Sequence, residues 1–176
     1  MKTTVRIRTY RPEDVEGIYS AVMASRRELS QWMPWCHETY SRQDTTGWVW
    51  SRTSAWERNE EWSFLIIDGD ETVVGGCGLH RLDLKNGVAE LGYWVRTPST
   101  GQGVATEATR QLCQWAFRDG GLERIEILAS VDNRASQRVA EKSGGVREGV
   151  LRRRIRLGGR SHDCILYSIL KEDLRH

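Results

Sequence analysis

One segment of the sequence, 95–108, constrains the fold of this chain more than any other. Strand-like residues lead through a loop that contains Gly101 and Gly103 directly into a helical pattern. Glycine lets the backbone come close to a ligand, and a helix N-terminus offers unpaired N–H groups and the positive end of the helix dipole. The segment therefore predicts an anion site, most naturally for a phosphate or pyrophosphate. A glycine loop that merely turns the chain is the alternative.

The elements around this segment predict the fold class. Alternating residues predict a first strand at 5–9, and Pro12 opens a first helix. The other predicted elements are helices at 26–32, 41–59, 103–119 and 135–143, and strands at 62–68, 72–80, 88–96, 125–129, 146–157 and 162–170. We expect an α/β fold with a mixed, mostly antiparallel sheet of about seven strands, a single parallel crossover and flanking helices. A dinucleotide-binding fold matches less well, because the loop lacks a third glycine.

Composition narrows the class of protein. The 176 residues are 39% hydrophobic and predict a single domain, 1–176, with a packed core. A net charge of +2 argues against a dedicated nucleic-acid binder. No run approaches the roughly 20 apolar residues of a membrane-spanning helix, and the N-terminus is unlike a signal peptide, so we expect a cytoplasmic protein without a membrane partner. The scattered cysteines lack zinc-site spacing, so no metal is expected and the thiols are predicted to be reduced and mostly buried.

A second informative segment, 132–144, follows the strand after the crossover. Together with the glycine loop it closely resembles the GNAT family of acetyl-coenzyme-A-dependent N-acetyltransferases. Within that family it resembles the branch of the RimJ and RimL ribosomal-protein N-terminal acetyltransferases. The resemblance covers nearly the whole chain and includes the segments 32–35, 89–93, 133–144, 147–151 and 162–168. It implies the GNAT fold and acetyl-coenzyme A as the acetyl donor.

The resemblance also assigns residues to the donor. The family's pyrophosphate motif falls on 100–105, where Thr100 replaces the usual Gln or Arg. By resemblance, the strand at 88–96 pairs with the pantetheine arm and parts from the strand at 124–131 to make a slot. Asn133 is implied to hydrogen-bond that arm, although capping a helix is its ordinary alternative role. The implied cofactor-binding residues are Trp94, Val95, Gly101, Gln102, Gly103, Val104, Ala105, Thr106 and Asn133.

The reaction implied by the resemblance is direct attack of an amine on the thioester. An α-amino group has a pKa near 8, so a weak base suffices at cytoplasmic pH. Ser136 is the expected proton donor to the leaving thiolate. Glu90 is the first candidate for the base and His80 the second, while a Glu90 tied to a neighbouring arginine is the alternative. Some RimL-like enzymes carry a glutamate where this chain has Ile155, so that mechanism is not expected here.

The acceptor is the least constrained part of the prediction. Trp32 and Trp35 lie where the family covers the substrate side of the slot, and with Glu90 they are the candidate substrate-binding residues; packing is their alternative role. We expect a protein or peptide N-terminal α-amine. A small amine such as a polyamine, an amino acid or an antibiotic is the second hypothesis, and a non-catalytic coenzyme-A-binding regulatory module is the third. The resemblance further suggests a homodimer.

Arginines cluster around the final predicted hairpin. They are Arg152, Arg153, Arg154, Arg156 and Arg160. Strand alternation predicts that 152, 154 and 156 share one face. A charged edge that resists aggregation and a surface for an acidic partner or phosphate are the two interpretations.

Overall fold

The computed structural model describes residues 4–174. Its strands are β1 (Val5–Thr9), β2 (Glu61–Asp68), β3 (Val73–Asp83), β4 (Val88–Val95), β5 (Arg124–Ser130), β6 (Val146–Leu157) and β7 (Arg160–Leu170). Its helices are α1 (Val15–Met23), α2 (Arg26–Leu29), α3 (Arg42–Glu57), α4 (Val104–Arg118) and α5 (Arg134–Lys142). Short 3-10 turns occupy Pro12–Asp14, Thr97–Ser99 and Lys171–Leu174.

The strands form one seven-stranded mixed sheet in the order β1-β2-β3-β4-β5-β7-β6. Within the described residues, β4 and β5 are parallel and every other neighbouring pair is antiparallel. Parallel neighbours need a crossover connection, and here α4 supplies it. The predicted fold class, with its single parallel crossover, is therefore confirmed.

Two helical layers cover the sheet because its central strands are apolar on both faces. On β2, Phe64 and Ile66 belong to the core beneath α4 and α5, whereas Leu65 and Ile67 belong to the core beneath α1 and α3. Successive strand residues point to opposite faces, so this alternation assigns one helix layer to each face. The continuous apolar run of β2 is thus the sequence signature of a strand buried on both sides.

Two predicted helices end earlier than expected. The helix expected at 26–32 ends at Leu29, whose carbonyl accepts hydrogen bonds from both Trp32 and Met33 in a tight turn. The helix expected to run to Asn59 ends at Glu57, because Asn59 takes a left-handed φ of 53° that a helix cannot continue. The predicted capping box at its start is confirmed, with Ser41 and Asp44 bonding each other's backbone N–H groups.

The predicted alternation of the β6 arginines is wrong. Leu151 pairs with Cys164 and Ile155 pairs with His162, so four steps along β6 match only two along β7. The extra residues form a bulge in which Arg153 takes a φ of 51°. A bulge interrupts the alternation of side chains, so the arginines at 152–156 do not share one face. The same irregular pairing lets β7 begin at Arg160, two residues before the predicted start.

Candidate active site

The candidate site is a cleft that opens where the parallel strands separate. β4 and β5 pair only over Val88–Glu90 and Arg124–Glu126, and no further pairing joins them. Beyond that point lies a cleft of about 730 Å³. Its walls include 91–95 of β4 and 127–130 of β5, and its ends include the loop before α4, the first turn of α5 and the 29–33 turn. The slot implied by the resemblance is therefore present between the expected strands.

The glycine loop holds the N-terminus of α4 at one end of this cleft. Gly103 is the N-cap residue with a φ of 85°, and Gly101 has a φ of 74°. Neither would clash if it carried a Cβ, because no heavy atom lies within 4 Å of that position. Gly103 has no side chain to cap the helix, so the first-turn N–H groups at 104–106 face the cleft without an intrahelical acceptor. This end of the cleft is built to receive an anion.

The two faces of β4 serve different sides of the cleft. Tyr93 and Val95 pack against the core beneath α4, whereas Trp94 packs against the opposite core. The Arg96 N–H donates to the carbonyl of Val74 in β3 at 2.9 Å. Successive backbone N–H groups of a strand point to opposite sides, so the N–H groups at 91, 93 and 95 point away from β3 and towards the cleft. The implied backbone contact with pantetheine therefore falls on Val95, while Trp94 offers its ring to the other face.

Ser136 and Asn133 meet at the start of α5. Asn133 caps the helix, its Oδ1 accepting a hydrogen bond from the Ser136 N–H at 3.1 Å, so the alternative role considered for Asn133 is realised. Both residues line the cleft. The Ser136 hydroxyl lies 2.8 Å from the Tyr93 hydroxyl, and burial raises the pKa of Tyr93 to about 12 although this hydrogen bond acts in the opposite direction. The sequence analysis missed Tyr93, whose only signal is its place among the apolar odd-numbered residues of β4.

Gln137 is a second residue that the sequence analysis missed. Its buried amide donates to the carbonyls of Ser130 and Val131, each at 3.0 Å. Ser130 is the last residue of β5 and Val131 follows it, so the Gln137 side chain fixes the first turn of α5 against the end of the strand. Nothing in the sequence marks this glutamine, because its role depends on where β5 stops.

Glu90 and His80, the two candidate bases, form one pair. Glu90 Oε1 lies 3.0 Å from His80 Nε2, and its Oε2 lies 3.6 Å from Arg81 and 3.7 Å from Arg154. Burial raises the pKa of Glu90, but the hydrogen bond from His80 and the positive charges of Arg81 and Arg154 outweigh it and hold that pKa below its ordinary value. Glu90 is therefore an anion at neutral pH. It contacts the second candidate base, His80, and also the arginines expected from its alternative, structural role.

His80 lies beside Gly92, a residue of the cleft lining, whereas neither His80 nor Glu90 itself belongs to that lining. A Cβ built on Gly92, which lines the cleft, would lie 3.3 Å from His80 Cε1 and 3.8 Å from its Nδ1. Because anionic Glu90 can only accept a hydrogen bond, the proton shared with it belongs to His80 Nε2. The neutral imidazole then carries its lone pair on Nδ1, on the side of Gly92.

Aromatic residues line the cleft on the side away from α4. Trp32 and Trp94 belong to its lining, and Trp35, which is 39% exposed, packs edge-on against Trp94 at 5.9 Å between ring centroids. Of the predicted substrate-binding residues, Trp32 therefore lines the cleft and Trp35 contacts its lining through Trp94, whereas Glu90 lies outside the lining. Gly76 allows this arrangement, because a Cβ there would lie 2.7 Å from Trp94 Nε1.

Charged side chains occupy the rim. Arg138 and Lys142 of α5 line the cleft beside the start of α4, and no ion pair involves either of them within residues 4–174. Glu28 also lines the cleft, where it accepts a hydrogen bond at 3.3 Å from the hydroxyl of Thr97, which precedes the glycine loop. Ile155 also lines the cleft, so an apolar side chain stands where some relatives carry a glutamate.

The remaining expectations concern thiols, metals and membranes. All four cysteines, Cys36, Cys77, Cys113 and Cys164, are free and buried, and burial raises the pKa of each thiol. Across residues 4–174, no cluster of His, Cys, Asp and Glu side chains is arranged to hold a metal ion. None of the helices in the described part of the chain combines the length and hydrophobicity needed to cross a membrane.

Fold and cleft together define the class of the protein. A parallel pair that parts around a cleft, with an anion-binding helix N-terminus at one end, suits an extended ligand that carries a phosphate. The chain belongs to the GNAT acetyltransferase family, because the model of the acetyltransferase (GNAT) domain matches residues 4–146. It is an acetyl-coenzyme-A-dependent N-acetyltransferase.

Named relatives place the chain in the predicted branch. It is 33% identical over 174 residues to YdaF of Bacillus subtilis (strain 168), provisionally named a ribosomal N-acetyltransferase, covering 96% of this chain and 92% of that protein. It is 29% identical to the ribosomal-protein-serine acetyltransferase of Escherichia coli (strain K12), covering 88% and 86%. The structure of RimL, a ribosomal L7/L12 α-N-protein acetyltransferase in complex with coenzyme A, matches with a TM-score of 0.88 at 25% identity, covering 96% and 94%. The predicted RimJ/RimL-like membership is confirmed.

Proposed function

We propose that this enzyme acetylates the N-terminal α-amine of a protein or peptide, by direct attack of the amine within a ternary complex. The observation that carries the proposal is the continuous cleft between β4 and β5. It has an anion-binding helix end on one side and an aromatic, partly exposed wall on the other. The 29% identity with a ribosomal-protein-serine acetyltransferase, over 88% of this chain, favours a protein N-terminus as the acceptor.

The residues at the α4 end fit acetyl-coenzyme A. Gly101 and Gly103 both have a left-handed φ, and no heavy atom lies within 4 Å of their Cβ positions, so a ligand can approach the backbone closely there. The N–H groups at 104–106 suit a pyrophosphate. The N–H and C=O groups of β4 that face the cleft suit the amides of a pantetheine arm. Arg138 and Lys142 add positive charge at the same end. Bound there, acetyl-coenzyme A supplies an acyl thioester as the electrophile and a thiol as the leaving group.

Ser136 is the proposed proton donor. Its hydroxyl lies at the cleft on the α5 side, and the Asn133 cap fixes the turn that carries it. The cleft-facing N–H groups of β4 are the donors suited to negative charge that develops on a carbonyl oxygen. The amine gives up one proton to the base, which passes it to solvent, as the bond from nitrogen to carbon forms. The sulfur gains the Ser136 proton as its bond to carbon breaks, and the Ser136 alkoxide recovers a proton from solvent, so no net proton is consumed.

His80 is the proposed base and Glu90 its partner, on the opposite face of β4 from Ser136. Glu90 fixes the proton on His80 Nε2 and so leaves Nδ1 to accept a proton from the amine. An α-amine with a pKa near 8 is partly neutral already at pH 7, so a weak base is sufficient. Trp32 then forms part of the acceptor wall, and Trp35 packs against Trp94 of the same lining.

The test is a thiol-release assay with acetyl-coenzyme A. The acceptors are Ser- and Ala-starting peptides, the same peptides with blocked N-termini, polyamines, amino acids and aminoglycosides. We expect turnover with the free peptides and none with the blocked ones. Turnover confined to one small amine would replace the proposal with a small-molecule acetyltransferase. Coenzyme-A binding by calorimetry without turnover of any amine would replace it with a regulatory module.

A further inference from the structure

The hydroxyls of Tyr93 and Ser136 form a contact for which the roles above do not account. Tyr93 Oη lies 2.8 Å from Ser136 Oγ and 3.2 Å from the Ser136 backbone carbonyl oxygen. We propose that Tyr93 is a positioning residue that donates its proton to Ser136 Oγ and so directs the Ser136 proton into the cleft, towards the sulfur of the leaving group. The inference rests on the proposed function, since it takes Ser136 as the proton donor.

Two hydrogen-bond arrangements are compatible with the contact. In one, Tyr93 donates to the Ser136 carbonyl and Ser136 donates back to Tyr93, so the serine proton is held within the protein. In the other, Tyr93 donates to Ser136 Oγ and the serine proton is left for the cleft. The 2.8 Å contact is a good O–H···O hydrogen bond in either arrangement, so the two differ only in the longer 3.2 Å contact of Tyr93 with the carbonyl. Turning the Tyr93 proton to Oγ therefore gives up one long hydrogen bond and frees the serine proton for a leaving group in the cleft.

The surroundings keep Tyr93 in the donor state. The tyrosine ring packs against the core beneath α4, and the raised pKa of its buried hydroxyl leaves it protonated at neutral pH. On the other side, Asn133 and Gln137 hold the first turn of α5, so neither partner of the contact is on a loose segment. A chain of two hydroxyls also polarises, so negative charge developing on the sulfur strengthens both hydrogen bonds.

Tyr167 provides a matched control for the removal of a buried tyrosine hydroxyl. It is 1% exposed, and its hydroxyl donates to Glu141 of the same helix α5 at 3.1 Å. Neither residue lines the cleft. Tyr167→Phe therefore makes the same chemical change and loosens the same helix, but it leaves Ser136 with its partner.

The experiment is a double-variant cycle with Tyr93→Phe, Ser136→Ala and both together. The measurements are kcat and KM with acetyl-coenzyme A and a Ser-starting peptide, and coenzyme-A affinity by calorimetry. We expect Ser136→Ala to lower kcat about 100-fold, as loss of a proton donor does. We expect Tyr93→Phe to lower it about 10-fold, as loss of one hydrogen bond to a developing charge does, with coenzyme-A affinity unchanged. The double variant is expected to be no slower than Ser136→Ala, and Tyr167→Phe to keep the wild-type kcat.

The cycle separates failure of this inference from failure of the proposed function. If the two losses multiply in the double variant, Tyr93 does not act through Ser136 and the inference is overturned while the proton donor stands. An unchanged kcat in Tyr93→Phe, or an equal loss in Tyr167→Phe, also overturns it. A Ser136→Ala enzyme that works at the wild-type rate removes Ser136 from the proposed mechanism, and the inference with it.

Discussion

Gly103→Ala separates the backbone role of the glycine loop from its role in binding. Gly103 has a φ of 85°, and an L-residue in the left-handed region costs about 1–2 kcal/mol. No heavy atom lies within 4 Å of the added Cβ, so no steric term adds to this cost. We therefore expect the free energy of unfolding to fall by about 1–2 kcal/mol from backbone strain alone.

The effect on binding has a different origin. We expect the added methyl group to crowd an anion bound at the first-turn N–H groups of α4, because Gly103 is the N-cap residue and the space around its Cβ position is open to a ligand. Loss of one hydrogen bond to a charged group costs about 1.5–3 kcal/mol, so we expect coenzyme-A affinity to fall about 10- to 100-fold. Calorimetric titration with coenzyme A measures the affinity, and urea unfolding without ligand measures the stability.

Gly121→Ala is the matched control for this prediction. Gly121 follows α4 with a φ of 67°, has no heavy atom within 4 Å of its Cβ position, and lies outside the cleft. It should lose the same 1–2 kcal/mol of stability as Gly103→Ala and bind coenzyme A as the wild type does. Equal affinity for coenzyme A in the two variants would refute the assignment of the α4 N-terminus as the pyrophosphate site.

Three further predictions follow from the charged groups. Glu90→Gln should slow turnover at neutral pH, with the rate recovering as pH rises and the amine loses its proton unaided; a flat ratio of variant to wild-type rates across pH would contradict this. Hydrogen bonds from Arg124 and Ser168 lower the pKa of Glu148 from 4.5 to about 2. The contribution of Glu148 to stability is therefore full above pH 4.5 and lost as the pH falls towards 2. Glu148→Gln should flatten the acid side of the profile of unfolding free energy against pH, measured by urea unfolding. Arg138→Gln should raise the KM for acetyl-coenzyme A several-fold and weaken its salt dependence, whereas Arg134→Gln, one turn earlier and outside the cleft, should not.

Much of the fold could be predicted because its signals are local. Alternation of apolar residues and turn residues between the strands marked most of the sheet. Ser41 and Asp44 marked the start of α3, since both hydrogen bonds of the capping box lie within four residues. Predictions failed where a local pattern met a non-local constraint. The bulge of β6 at 152–154 depends on its pairing with β7, so strand alternation alone could not reveal it.

The candidate site likewise contains residues that local sequence marks and residues that only tertiary contacts reveal. Gly101 and Gly103 stand in one contiguous segment that indicates an anion site from the residues themselves, whereas the role of Ser136 came from the resemblance to a family. That resemblance also gave the glycine segment a ligand. Tyr93 and Gln137 were missed, because each acts on a residue that is distant in sequence or on a backbone carbonyl, and such partners exist only once β4, β5 and α5 are assembled.

The sequence by itself determined the class of this protein: a glycine loop before a helix, a single crossover among antiparallel strands, and the family to which both belong. Only the tertiary structure decided how the candidate groups combine. It joined Glu90 and His80, separated by ten residues, into one hydrogen-bonded pair because their strands are antiparallel and in register. It also placed that pair and Ser136 on opposite faces of β4, because successive side chains of a strand point in opposite directions.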